Sequence, residues 1–116
     1  MISFENDYST GAHPRILEAL AATNLEPAPG YGSDRFCESV AARIRAACDD
    51  ETADVFFLTG GTQTNAVVIS ALLAGHEGVI AADTGHIAVH EAGAIEATGH
   101  KVLTVPECDG KLRAAD

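Results

Sequence analysis

The sequence predicts an α/β protein: a partial parallel, or mixed, sheet of β-α-β-α-β order that follows an irregular, helical amino-terminal arm. Three observations predict it. Apolar runs at 53–58, 78–82 and 101–105 have strand length, and the segments between them have helix length with apolar faces. Glycines punctuate the boundaries, with Gly60 and Gly61 after the first run and Gly75 and Gly99 ahead of the second and third. The first 30 residues, by contrast, are irregular apart from one short helix. Strands that alternate with helices pair in parallel through right-handed crossovers. The expected division is residues 1–50 as the arm with its helices and residues 51–116 as the α/β part.

In the arm, Pro14 suits a first helical position, where its missing N–H is no loss. A helix over 14–22 places Ile16, Leu17 and Leu20 on one face. Glu26-Pro27-Ala28-Pro29-Gly30-Tyr31-Gly32 is a rigid, turn-prone connector. Ser33 or Asp34 then caps a helix running to Cys48, with Phe36, Val40 and Ile44 as its inward stripe.

The run ADVFFL at 53–58 suits a strand buried on both faces. Thr62 is placed as the cap of a helix over 62–74 and Gly75 as its left-handed end. Its stretch AVVISALLA is apolar nearly all round, so burial against more than one neighbour is expected. GVIAA at 78–82 is the second strand, 86–98 the second helix with Gly99 as its end, and KVLTV at 101–105 the third strand. Asp109-Gly110 is a turn signal. Three strands with two crossover helices leave a sheet face and an edge uncovered. The expectation is therefore the front part of a longer polypeptide.

Composition excludes some roles. Among 116 residues, 7 Lys and Arg face 17 Asp and Glu, a net charge of −10. That surface repels phosphate backbones and anionic lipid, so neither a nucleic-acid nor a membrane partner is expected. No apolar run approaches the roughly 20 residues of a membrane span. The opening MISFENDYST lacks the basic region and apolar stretch of a secretory signal. The three cysteines are odd in number and form no C-x-x-C pair, which points to a reducing cytoplasm. Cys37 and Cys48 read as small helix-face residues, not nucleophiles.

Two loops could carry chemistry. Leu58-Thr59-Gly60-Gly61-Thr62-Gln63-Thr64-Asn65 joins a strand end to a helix start. Glycines there let the backbone approach a ligand, and the first helical N–H groups lack internal partners at the positive end of the dipole. Gly61, Thr62 and Gln63 amides with the Thr62 hydroxyl could cradle a phosphate. A plain capped helix after a tight turn needs the same residues. Asp83-Thr84-Gly85-His86 lies at the carboxyl end of the next strand, where open α/β sheets bind ligands. His86 there could stack on a planar ring or move a proton, or simply begin a helix in solvent. His86 and His90 share a helical face, but no third ligand is evident and no metal site is expected. His13, His76 and His100 fall in turns and are expected in solvent.

These segments resemble the amino-terminal third of the threonine aldolase / β-eliminating lyase family, pyridoxal-phosphate enzymes of the aspartate-aminotransferase fold. Phe4-Glu5-Asn6-Asp7-Tyr8-Ser9-Thr10 stands in place of the family's R-S-D-T opening. Gly30-Tyr31-Gly32 resembles its V-Y-G turn, and Gly60-Gly61-Thr62-Gln63-Thr64-Asn65 its [ST]-G-T-x-A-N loop. Gly85-His86 followed by Glu91-Ala92-Gly93 resembles its A-H-x-x-x-x-E-x-G segment.

The resemblance implies that residues 51–116 begin the large pyridoxal-phosphate-binding domain. It implies that Gly60, Gly61 and Thr62 hold the phosphate of pyridoxal 5'-phosphate. His86 would stack on the ring and assist proton transfer at the substrate's β-hydroxyl, and Asn6 and Tyr31 would meet the substrate. The implied reaction is cleavage of L-threonine and related β-hydroxy-amino acids to glycine and an aldehyde, by a cytoplasmic homodimer or homotetramer. A β-eliminating amino-acid lyase of the same fold is the nearest alternative, and a non-catalytic module binding a phosphorylated ligand is another. The family's Schiff-base lysine lies beyond Asp116, and the only lysines are Lys101 and Lys111. This chain alone is therefore expected to be inactive.

Overall fold

A computed structural model describes residues 4–6 and 8–114. The chain divides into two compact units, Met1–Val55 and Phe56–Asp116.

The first unit carries two helices, α1 (Pro14–Thr23) and α2 (Arg35–Cys48). Pro14 opens α1 as its type favours. His13 is exposed, as expected, but also caps this helix: its Nδ1 accepts from the Arg15 N–H at 3.2 Å. Of the two candidate caps for α2, Asp34 takes the role, accepting from the Phe36 and Cys37 amides at 2.9 and 3.0 Å. Asp49 ends the helix in a left-handed conformation with φ 54°. Beyond it the Arg45 Nε–H reaches the Ala53 carbonyl at 2.8 Å, which ties the following segment to the last turn. The apolar stripes lie mostly open: Ile16, Leu17 and Leu20 are exposed, and Ala41 is buried on α2.

Hydrogen bonds from the Cys37 thiol and from the Cys37 and Phe36 amides hold the Asp34 carboxyl below its ordinary value of 3.8. The same contact raises the Cys37 thiol, the opposite of what a nucleophile needs. Folding thus favours the Asp34 carboxylate. Its contribution is present above the unfolded value and is lost as pH falls through the lowered folded value. The helical ellipticity of α2 is expected to drop below pH 3.8 in the native chain, and less steeply in Asp34→Asn, whose oxygen accepts without titrating. Equal acid sensitivity in both would show that the cap does not govern α2.

The second unit contains α3 (Gly61–Leu72), β1 (Gly78–Ala82), α4 (His86–Val89), a 3-10 turn (Glu96–Thr98) and β2 (Lys101–Val105). The strands pair in parallel, in register from Gly78 against Lys101 to Ala82 against Val105. The α/β class therefore holds, with a small parallel sheet. Side chains alternate across it. Ala81 and Val102 enter the core around Ile95, with Ala66 and Ile69 of α3 and Ile87 of α4 packed on them. Ile80 and Leu103 point to the other face and are exposed. The Asp109-Gly110 turn forms as expected: both residues have positive φ, 53° and 71°, and Cys108 and Lys111 exchange backbone hydrogen bonds of 3.0 and 3.1 Å across it.

Five expectations are corrected. The run at 53–58 pairs with no strand among the described residues, and Phe56 is 81% exposed. Apolar, β-branched and aromatic residues fit a covered pleated surface, but without a neighbouring ladder they do not make one. Helix α3 starts earlier and stops earlier than expected. Gly60 is its cap, Thr62 lies inside its first turn, and Leu73 ends it with φ −97°, so Gly75 is no left-handed cap. Only one side of α3 is covered, for Val67, Val68 and Leu72 are exposed.

The helix expected over 86–98 is cut to the single turn of α4. Ala92 and Gly93 follow with φ 50° and 76°, and two successive left-handed residues cannot continue a right-handed helix. The Ala94 N–H closes that reverse turn on the Glu91 carbonyl at 3.0 Å. Finally, His100 is buried, not solvated. The Thr98 hydroxyl donates to the Ile95 carbonyl at 2.7 Å, so it accepts from His100 Nδ1–H at 3.0 Å, and Nε2 is buried with no partner among the described residues.

Candidate functional site

The start of α3 is built by short-range bonds. The Thr64 N–H and hydroxyl both donate to the Gly60 carbonyl, at 3.0 and 2.9 Å. The Gln63 side chain turns back, and its Oε1 accepts from the Thr59 N–H at 2.9 Å and the Thr59 hydroxyl at 2.8 Å. That contact pins the approach to the helix, much as a capping box does. No side chain caps the helix itself. The Gly61, Thr62 and Gln63 amides thus lead a twelve-residue helix whose dipole makes this end positive. A methyl group built on Gly60 or Gly61 would meet no atom within 4 Å, so the approach to those amides is open. Open space, unshared donors and a positive helix end fit an anion of phosphate size.

The second loop follows β1. The Asp83 N–H extends the pairing to the Val105 carbonyl at 2.9 Å, and the Gly85 N–H folds back on the Ala82 carbonyl at 2.8 Å. This turn delivers His86 to the head of α4. A Cβ on Gly85 would lie 2.9 Å from the Ala82 carbonyl oxygen, closer than real contacts allow. Gly85→Ala is therefore expected to lower stability by about 1–3 kcal/mol through overpacking and to displace His86. Thermal unfolding together with the His86 ring signals in NMR checks this. Native stability with unmoved ring signals would contradict it.

A buried carboxylate joins the two loops. Glu91 Oε1 accepts from the Asn65 side-chain amide at 2.6 Å and meets His86 Nδ1 at 2.7 Å. The Glu91 side chain has no exposed area, whereas that of His86 is 64% exposed. Asn65 stands one helical turn beyond Gly61, on the same face of α3. The chain of contacts therefore runs from the helix whose first amides lie open to the imidazole. The His86 and His90 rings are 5.4 Å apart. Among the described residues, no group of three or more His, Cys, Asp or Glu gathers as a metal site would.

Gly60, Gly61, Thr62 and His86 thus fall in one unit, linked through Asn65 and Glu91. Asn6 and Tyr31 belong to the other unit. Asn6 Oδ1 accepts from the Tyr8 N–H at 3.1 Å. Tyr31 and Gly32 form a reverse turn with φ 63° and 78°, closed by the Ser33 hydroxyl on the Gly30 carbonyl at 2.8 Å. That turn leaves the Tyr31 ring fully in solvent. The side-chain contacts of Gln63, Asn65 and Glu91 are what the motifs alone do not assign. Two sequence features point to them: the amide side chain one turn after Gly61 and the acid just ahead of Ala92-Gly93.

The family described as beta-eliminating lyase matches residues 4–116. A low specificity L-threonine aldolase of a Pseudomonas species is 31% identical over 114 residues, which covers 97% of this chain and 33% of that protein. The protein so described in Pseudomonas aeruginosa is 30% identical over the same length. A solved structure of Leishmania major threonine aldolase superposes with a TM-score of 0.90 at 52% identity, covering 96% of this chain and 32% of that one. The chain spans about a third of the length of the relatives it matches. No helix of the described residues is long and apolar enough to cross a membrane.

Proposed function

This chain belongs to the beta-eliminating lyase family, and from that premise we propose that it serves a pyridoxal-phosphate-dependent aldolase that cleaves L-threonine and related β-hydroxy-amino acids to glycine and an aldehyde. The observation that carries this reading is the hydrogen-bonded line Asn65–Glu91–His86, which ties an exposed imidazole to the open, positive start of α3. Likeness to threonine aldolases from three sources supports the same chemistry.

Gly60, Gly61 and Thr62 would hold the cofactor phosphate through first-turn amides and the Thr62 hydroxyl, a charge-assisted contact stronger than a neutral one. When bound, the cofactor supplies the electron sink for the Cα–Cβ bond that breaks. His86 would lie against the ring and take the proton of the substrate's β-hydroxyl, directly or through a water. Asn6 has an amide that can donate to a substrate carboxylate, and Tyr31 is held outward on its turn. The remaining parts of the proposal are a cytoplasmic homodimer or homotetramer and a 116-residue chain that is inactive by itself. Its two lysines open β2 and follow the terminal turn.

Assay of a polypeptide of the relatives' length carrying these residues tests the proposal. Glycine and acetaldehyde are expected from L-threonine in equal amounts. A 2-oxo acid and ammonia without aldehyde would favour a β-eliminating lyase. Phosphate binding with no turnover of any amino acid would favour a non-catalytic module.

A further inference from the structure

We propose that Glu91 and Asn65 are positioning residues that lock the His86 imidazole in the tautomer with its proton on Nδ1, so that Nε2 carries the lone pair. The purpose of this lock rests on the aldolase reading; the lock itself does not.

The Glu91 side chain is wholly buried, and burying a carboxylate is costly unless it is paired. Two partners converge on one oxygen: Oε1 takes the Asn65 amide at 2.6 Å and His86 Nδ1 at 2.7 Å. Oε2 is buried with no partner among the described residues. An unmet buried acceptor destabilises, so this acid is not placed for stability on the Oε2 side. The backbone that turns Glu91 inward is strained as well. Ala92 holds φ 50°, a left-handed conformation uncommon for a residue with a Cβ. A strained turn, a half-satisfied buried acid and an outward imidazole all meet at one ring, as expected where local stability is given up for placement.

The tautomer follows from donor counting. A carboxylate only accepts, so the ring nitrogen facing it must carry the hydrogen. In a neutral imidazole the other nitrogen is then the acceptor. Asn65 has a separate task. Its amide nitrogen donates to Oε1 and so holds that oxygen, not Oε2, toward the ring. Whenever the ring is neutral, Nε2 is therefore the nitrogen that can receive a proton, as deprotonation of a substrate hydroxyl requires.

Long-range proton–nitrogen NMR of the isotope-labelled chain, at a pH where the imidazole is neutral, reads this directly. In the native chain the Nδ1–H form of His86 is expected to dominate. Glu91→Gln is expected to retain it, because the amide oxygen held by Asn65 still accepts. Glu91→Leu is expected to shift the ratio toward Nε2–H by about tenfold, the worth of a hydrogen bond to a charged group at a partly exposed site. Asn65→Ala is expected to shift it in the same direction by less. A native chain with Nε2–H dominant overturns the proposal, and this needs no variant to fold. A folded Glu91→Leu or Asn65→Ala chain with the native ratio overturns the part assigned to that residue. Phosphorus NMR of the same samples with inorganic phosphate reports on the aldolase reading separately. A locked tautomer without phosphate binding defeats that reading alone, and phosphate binding without the lock defeats the lock alone.

Discussion

Replacing Ile95 by alanine is expected to cost the Phe56–Asp116 unit about 2–5 kcal/mol, the usual range for removing a large buried aliphatic side chain. Ile95 is the one large side chain at 0% exposure among the described residues. It sits between Ala81 of β1 and Val102 of β2, with Ile69 and Ile87 packed from the two helices. The other two members of that buried cluster include an alanine, so little surrounding volume can close the cavity. Domains of this size have only about 5–15 kcal/mol to lose. Ile95→Ala should therefore unfold at much lower urea than the native chain. Ile16→Ala on the exposed face of α1 should stay within about 0.5 kcal/mol of it. Equal urea midpoints for the two variants would show that Ile95 does not centre a core.

Replacing His86 by alanine in a polypeptide of the relatives' length is expected to lower turnover of L-threonine by roughly 10²–10⁴-fold, the span usual for a general acid or base. The fold should survive, because the packing of α4 rests on Ile87 and Ala88 and the imidazole is mostly exposed. Glu91 keeps Asn65 as a donor but loses the ring. A stability loss of about 1–3 kcal/mol is expected on that account, and it can be measured apart from activity. Steady-state kinetics with a circular dichroism control decide the point. A folded variant with native turnover would leave His86 as the head of a helical turn and nothing more.

Local signals in the sequence were enough wherever local chemistry decides the outcome. Pro14, Asp34, Gly99 and Asp109-Gly110 each fix a cap, an end or a turn through their own backbone preferences, and each does so here. GVIAA and KVLTV pair in parallel because each finds the other. ADVFFL has comparable β character, but no neighbour pairs with it among the described residues, and composition cannot supply a partner. The apolar pattern over 86–98 is helical in period, but the chain turns out of a helix at Ala92-Gly93. Gly93 was a visible warning, but alanine is the best helix former, and its left-handed φ of 50° could not be foreseen.

The candidate site was legible in the same measure. Glycines and a threonine at a helix start, and a histidine after a strand, announce themselves by type and place. The Asn65–Glu91–His86 contacts span 26 residues in sequence between Asn65 and Glu91 and exist only once the turn at Ala92-Gly93 brings the acid inward.

The central claim is that the first amides of α3 receive the phosphate of a pyridoxal compound within reach of His86. Titration of the labelled chain with pyridoxamine 5'-phosphate tests it most directly, since that compound has the ring and phosphate but no aldehyde to react with Lys101 or Lys111. Saturable shifts are expected at the Gly61, Thr62 and Gln63 amides together with the His86 ring, and inorganic phosphate should reverse those of the amides. Saturable shifts elsewhere, with those three amides unmoved, would contradict the account.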